Sequence, residues 1–375
     1  MMLKSDARTA AAGHSIPGLD GVRALAVSIV FLAHAGLEHV VPGGLGVTIF
    51  FVLSGYLITT LMLQEMQRSG SLDLGAFYLR RLLRLMPPLI LVVAATALAS
   101  RAGWIDGSYS PAGLLSVLFY WGNYFVITHD FNGLPAGLGV VWSLAVEEHY
   151  YLIYPFLLPP LLRALGPRGA AGVLLVLCGA VLGWRCALFA GHVPEAWLTM
   201  ATDTRIDAIL AGGVLALGCN PLHVPQRQGD SQRISQLLPL ACAAMLVTTL
   251  LLREPWFRQT LRFTMQSAAV AGLLYATVAA SHMPWFRLLA CRPMIYLGTL
   301  SYTVYLCHHV LLSAVARNWP GVGAIPVALV AGALSLLFAE GVRRWVETPC
   351  ARLRRRLHQR RQPLPSATPA VQGGV

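Results

Sequence analysis

The sequence predicts an all-α protein, a polytopic bundle of transmembrane helices, and three observations carry that prediction. Of 375 residues, 56% are hydrophobic and only 12% charged, whereas roughly a quarter of a soluble domain is charged. The mean hydropathy is +0.62. Eleven apolar segments follow one another along the chain, most of them close to the ~20 residues that let a helix cross the hydrocarbon of a bilayer. A helix satisfies its own backbone there, so a bundle of about ten spanning helices is the architecture expected.

The segments lie near 19–40, 44–64, 82–100, 111–128, 142–162, 169–190, 204–219, 236–252, 263–281, 295–316 and 322–341. If all eleven cross from a cytoplasmic N-terminus, the arginine-rich stretch RLRRRLHQRR at 352–361 falls outside, against the tendency of such loops to stay in the cytoplasm. The weakest segment is 111–128, which opens on Pro111, contains Gly122 and Asn123, and runs into the glycine-rich DFNGLPAGLG. Read as re-entrant or interfacial, it leaves ten spans with both termini cytoplasmic. Arg68, Arg80, Arg81, Arg84, Arg163, Arg168, Arg227, Arg233, Arg287 and Arg292 then all face inward, with Arg253, Arg258 and Arg262 as the exception.

Residues 1–17 read as a cytoplasmic N-terminal segment. Lys4 and Arg8 precede the first apolar run as in a signal peptide, but that run carries Arg23 and His34 and no clear cleavage site follows, so it reads as a retained span. A single membrane domain covers 18–349. Residues 350–375 are basic, then rich in Pro, Ser, Ala and Gly, and are expected to form a disordered cytoplasmic tail. No second soluble domain and no 20–50-residue repeat is seen.

The net charge of +12 is almost all arginine, Lys4 being the only lysine. With no basic, aromatic-interleaved soluble domain to carry it, this charge reads as topology and not as nucleic-acid binding. The seven cysteines (178, 186, 219, 242, 291, 307 and 350) are scattered without C-x-x-C or Cys/His spacing, so neither disulfides nor a metal site is expected.

Ionisable groups inside spans cost about 2.5–3.5 kcal/mol each at a helix centre, which makes them candidates for function. Arg23 and His34 share one helix face about 16 Å apart, Arg23 toward the cytoplasm and His34 toward the outside. WSLAVEEHYY brings Glu147 and Glu148 in from the outer side, DTRIDAILAGG brings Asp203, Arg205 and Asp207, and LGTLSYTVYLCHH carries Tyr302, Tyr305, His308 and His309 outward. Four spans thus direct ionisable groups to one outer level. A buried ion-pair network that only fixes helix packing is the competing reading. At the cytoplasmic side FYLRRLLRLMPP sets Arg81 and Arg84 at i and i+3, near Arg23. Guanidinium groups pair with phosphates through paired hydrogen bonds, so this cluster is suited to a phosphorylated donor.

In this order the motifs resemble the acyltransferase-3 family of integral membrane O-acyltransferases: Arg23-(ten residues)-His34, GVTIFFVLSGYLI at 46–58, Arg81-x-x-Arg84, WSLAVEEHYYLIYP at 142–155, DTRIDAILAG at 203–212, LGTLSYTVYLCHH at 297–309 and VETP at 346–349. The resemblance runs from about Gly18 to Pro349 and is closest to the stand-alone membrane form, without the extracytoplasmic hydrolase-like domain of some relatives. One departure is Thr48, where the family usually has an acidic residue before its paired phenylalanines.

The resemblance implies transfer of an acyl group, most often acetyl, from acyl-CoA to a hydroxyl of an extracytoplasmic carbohydrate or glycoside at the bacterial cytoplasmic membrane. In that reading His34 is the general base, Glu147 or Glu148 orients it, and Arg23, Arg81 and Arg84 hold donor phosphates. Asp203, Arg205 and Asp207 shape the acceptor side, and Tyr302 and His308 line the passage or polarise the thioester. Acyl-CoA, the acceptor and the bilayer are the expected partners, with no permanently bound cofactor. Direct transfer and a covalent acyl-enzyme are both compatible with these residues. A proton-coupled exporter of a lipid-linked or small glycoside, using the histidines and carboxylates as a relay, is the alternative from another class. A non-catalytic envelope scaffold is a third, disfavoured by the cost of so many buried ionisable groups.

Overall fold

A computed structural model describes residues 17–222, 231–280 and 283–361, and every regular element in them is helical. The first span, α1 (Pro17–Leu32), passes into a π-helical turn at Ala33–Leu37 and is followed by α2 (Gly43–Ser69) and α3 (Leu74–Arg101). Two short helices, α4 (Pro111–Leu118) and α5 (Gly122–His129), precede the long α6 (Trp142–Ala190). Then come α7 (Glu195–Met200), α8 (Thr202–Gly218), α9 (Ser231–Leu251), α10 (Pro255–Gln259), α11 (Leu261–Ala279) and α12 (Pro284–Leu289). The chain ends in α13 (Arg292–Asn318), α14 (Ala324–Val342), a second π-helical turn at Arg343–Glu347, and α15 (Thr348–Arg361).

Six helical stretches among the described residues are long and apolar enough to cross a membrane: Gly18–Leu37, Gly43–Ser69, Leu74–Arg101, Leu138–Ala190, Arg292–Asn318 and Ala324–Leu357. The fourth is two helices in sequence. Gly166 adopts φ +67°, outside the helical region, and is followed by Pro167. Leu174 and Tyr150 both pack against Gly213 of α8, which residues about 36 Å apart along one straight helix could not do. The halves therefore fold back on each other, as expected of separate segments at 142–162 and 169–190. Segment 111–128 is broken into α4 and α5, each about 12 Å long and too short for the ~30 Å hydrocarbon layer. Ser110 caps α4 by accepting a hydrogen bond from the Gly113 amide, and Tyr120, between the two helices, has φ +59°.

Glycines set the closest helix crossings. A Cβ on Gly55 of α2 would lie 1.8 Å from the Ile209 carbonyl oxygen of α8, and one on Gly212 would lie 2.0 Å from that of Val52, so each backbone occupies the space a side chain would need. Close approach of this kind is how helices gain packing energy in a solvent as apolar as their own side chains. Gly298 of α13 likewise sits on the Asp20 carbonyl, where a Cβ would be 2.0 Å away. That crossing fixes α1 beside α13 and brings their later turns into register.

The C-terminal region corrects one expectation. Residues 348–361 form α15, packed against α3, where composition suggests a disordered tail from residue 350. Glu347 fixes its start by accepting a hydrogen bond from Thr303 of α13 at 2.7 Å. The expectations for residues 1–16 and 362–375 lie outside the described residues.

Candidate active site

His34 occupies the π-helical end of α1, where Ala35 and Gly36 (φ +94°) leave helical geometry and turn the chain toward α2. A widened turn of this type frames the ring against α13. His34 Nδ1 lies 3.0 Å from His308 Nε2, and the His34 ring stacks on His309 with centroids 4.3 Å apart. His308 is fully buried whereas His34 is exposed. His308 Nδ1 in turn faces the Val304 and Tyr305 carbonyl oxygens at 3.2 and 2.8 Å.

The tautomers follow from these partners. Carbonyl oxygens only accept, so His308 Nδ1 bears the proton and its Nε2 presents a lone pair. His34 Nδ1 must then donate to that lone pair, which leaves His34 Nε2 unprotonated. The hydrogen-bond network thus assigns the form of His34 that accepts a proton.

The glutamates stand elsewhere than the sequence suggests. Glu148 pairs with Arg81, Nη2 to Oε1 at 2.9 Å, and the Arg81 guanidinium lies 3.3 Å over the Tyr151 ring. Glu147 Oε2 accepts from Ser54 at 3.2 Å and from Tyr151 at 3.4 Å. Among the described residues neither glutamate has a hydrogen bond to His34, whose orienting partner is His308. The placement of both carboxylates at the outer level is therefore corrected. The reason is the entry to α6: Leu138, Val140 and Val141 are buried, so the turn before the helix dips into the bundle and α6 begins inside it. At its first turn Ser143 Oγ lies 2.6 Å from Tyr305 Oη, which also donates to the Val140 carbonyl at 3.1 Å. Glu147 is one turn deeper on the same face, and Tyr151 one turn beyond that.

A polar file accordingly joins the arginines to the histidines. It runs from Arg81, Glu148 and Tyr151 through Glu147 and Ser54 to the level of Ser143 and Tyr305, whose ring centroid is 5.8 Å from that of His308. Tyr302 borders it, donating to the Leu85 carbonyl at 2.8 Å. At the arginine end, Arg23 pairs with Asp20 one turn before it. Arg84 is exposed, forms no ion pair among the described residues, and lies within reach of the charges of Arg23, Arg81 and Arg354.

Asp203, Arg205 and Asp207 form a separate cluster at the start of α8. Asp207 is buried and pairs with Arg185 at 2.6 Å, while Thr264 donates to the same oxygen at 2.8 Å. Arg185 also donates to the Thr260 carbonyl at 2.7 Å. Arg205 is buried too, donates to Thr48 at 3.2 Å and lies 3.9 Å over the Phe263 ring. Thr48, the departure from the family pattern, is thus the partner of a buried arginine. Asp203 is held by the indole nitrogens of Trp184 and Trp197 at 2.8 and 3.3 Å. Asp207 and Arg185 read as a packing ion pair, so of the three residues only Asp203 and Arg205 retain an acceptor-side reading. Arg185, Ser54, Ser143 and Glu347 were not singled out in the sequence. For Arg185 the signal was present, since an arginine within an apolar run requires a carboxylate partner.

Comparison with known proteins identifies relatives and a family. The chain is 30% identical over 347 residues to the O-acetyltransferase OatA of Staphylococcus aureus strain NCTC 8325, covering 89% of this chain and 57% of that protein. It is 29% identical over 352 residues, with the same coverage, to a putative O-acetyltransferase of Staphylococcus aureus strain COL. The chain spans a little over half the length of these relatives. No solved structure matches it. The acyltransferase domain family model matches residues 16–340, nearly the whole described bundle with His34, the arginine group and α13, and the chain belongs to that acyltransferase-3 family.

Proposed function

We propose that the protein is a membrane O-acyltransferase that moves an acyl group, acetyl in the first instance, from acyl-CoA to a hydroxyl of an extracytoplasmic carbohydrate or glycoside at the bacterial cytoplasmic membrane. The observation that carries this reading is the hydrogen-bonded order of His308 and His34, which leaves His34 Nε2 as a free base on an exposed ring. The O-acetyltransferase relatives support the reaction class.

A hydroxyl is a weak nucleophile at neutral pH. His34 Nε2 takes its proton as the oxygen attacks the thioester carbonyl, the carbon–sulfur bond breaks, and the imidazolium returns the proton to the departing thiolate. General-base assistance of this kind contributes about 10²–10⁴-fold. His308 holds the tautomer, in the way a triad's third member holds its histidine. Arg23 and Arg84 bind donor phosphates at the opposite end of the polar file. Arg81, which also pairs with Glu148, joins them, with Tyr302 beside it. Asp203 and Arg205 lie on the acceptor side.

The test uses the purified full chain in lipid nanodiscs with acetyl-CoA and soluble oligosaccharide acceptors. Release of free coenzyme A coupled to an acceptor mass increase of one acetyl group is expected. The same chain reconstituted in closed vesicles, if it moved the acceptor across the bilayer without acylating it, would replace this reading with the exporter.

A further inference from the structure

Among the positions of α15 whose side chains are described, the inner face carries one arginine. From Glu347 onward the half-buried positions are 347, 348, 350, 351, 354 and 357, a helical stripe turned toward α3, while Arg352, Arg355 and Arg356 are exposed. Glu347 and Arg354 are two turns apart on that stripe, about 10 Å along the axis. Since Thr303 fixes Glu347 against α13, the register of the stripe is fixed as well.

The stripe turns Arg354 toward α3, within reach of the charges of Arg80 and Arg84, the latter near Arg23 and Arg81. Arg23, Arg80, Arg81, Arg84 and Arg354, from α1, α3 and α15, thus gather at one end of the bundle. Asp20 answers Arg23, Glu148 answers Arg81 and Glu65 answers Arg80, and the Glu347 carboxylate lies within reach of Arg84 without forming a salt bridge to it, whereas Arg84 and Arg354 have no ion pair among the described residues. Like charges so arranged repel one another unless a polyanion lies between them. The exposed arginines on the same helix provide the contrast, because solvent screens them individually.

We propose that Arg354 is a donor-binding residue, and that α15 forms a wall of the site that receives the phosphates of a nucleotide thioester. The inference rests on the acyl-CoA reading above. It adds a ligand from outside the span core and makes the C-terminal helix part of the site.

Coenzyme A binding to the full chain in nanodiscs tests it, with thermal unfolding followed in parallel. Arg354→Gln should weaken binding about tenfold, the scale of one lost charge-assisted hydrogen bond. Arg355→Gln, which removes the same charge from the exposed face, should change it less than about twofold. Arg84→Gln reports on the underlying reading. If Arg84→Gln weakens binding and Arg354→Gln does not, the role of Arg354 is overturned while the donor site stands. If the wild-type chain binds no coenzyme A, both fall. Arginine modification by phenylglyoxal, read by mass spectrometry on the wild-type chain, needs no variant: coenzyme A should protect Arg354 along with Arg84, and protection of Arg84 alone overturns the proposal.

Discussion

Replacing His308 with phenylalanine removes the acceptor of the His34 Nδ1 proton while keeping a flat ring in a fully buried position. Two effects set the magnitude. Loss of one neutral hydrogen bond of 3.0 Å is worth about 0.5–1.5 kcal/mol net, or roughly two- to twelvefold in rate. Without His308 the proton is also free to move to Nε2, which abolishes the base in that fraction of molecules. The limit of that effect is the lower end of general-base catalysis, about 10²-fold. His308→Phe should therefore lower kcat by between about tenfold and 10²-fold with KM for acetyl-CoA unchanged, because the donor phosphates bind at the other end of the polar file. His308→Gln offers an amide oxygen to the same proton and should recover most of the loss. Steady-state transfer of radiolabelled acetyl to a soluble acceptor measures both constants. A variant His308→Phe with undiminished kcat, or one altered only in KM, would refute the tautomer argument.

Three further outcomes are expected. Asp207→Ala leaves Arg185 as an uncompensated charge in a fully buried site and should cost about 3–5 kcal/mol, read as a marked fall in the thermal midpoint in detergent. Gly212→Ala places a methyl group 2.0 Å from the Val52 carbonyl oxygen and should separate α2 from α8, seen as loss of monodisperse protein in size-exclusion chromatography, whereas Gly70→Asn at the left-handed cap of α2 should be tolerated. Arg84→Ala should raise KM for acetyl-CoA about tenfold and leave KM for the acceptor unaltered; equal losses on both sides would remove its assignment to the donor.

Much of the architecture was legible because hydropathy and backbone satisfaction dictate it. The apolar segments fall in helices, 142–162 and 169–190 sharing α6, and 111–128, which Pro111, Gly122 and Asn123 mark as the weakest segment, is divided between α4 and α5. The partnerships of the charges were harder to read. Depth along α6 depends on where its first turn lies, and three buried residues before Trp142 shift that turn inward, carrying Glu148 to Arg81 and not to His34. Sequence spacing reports the face of a helix but not its offset against a neighbour, so the approach of His308 to His34 required the crossing at Gly298. The arginine-rich C-terminus misled by composition, since charge density there argues against a packed core but not against a helix held by Glu347. Arg185 shows the converse: its partner Asp207 was identified, and the arginine that neutralises it lay unremarked within an apolar run.

In the proposed reaction His34 removes a proton from a carbohydrate hydroxyl during acyl transfer. Mass spectrometry of the surface polysaccharides and secreted glycosides of cells lacking the gene, complemented with wild type or with His34→Ala at equal membrane abundance, tests it most directly. A mass increment of one acyl group should be lost on deletion, restored by wild type and absent with His34→Ala. Restoration of the increment by His34→Ala would contradict it, as would an unmodified profile accompanied by a glycoside retained inside the deletion strain.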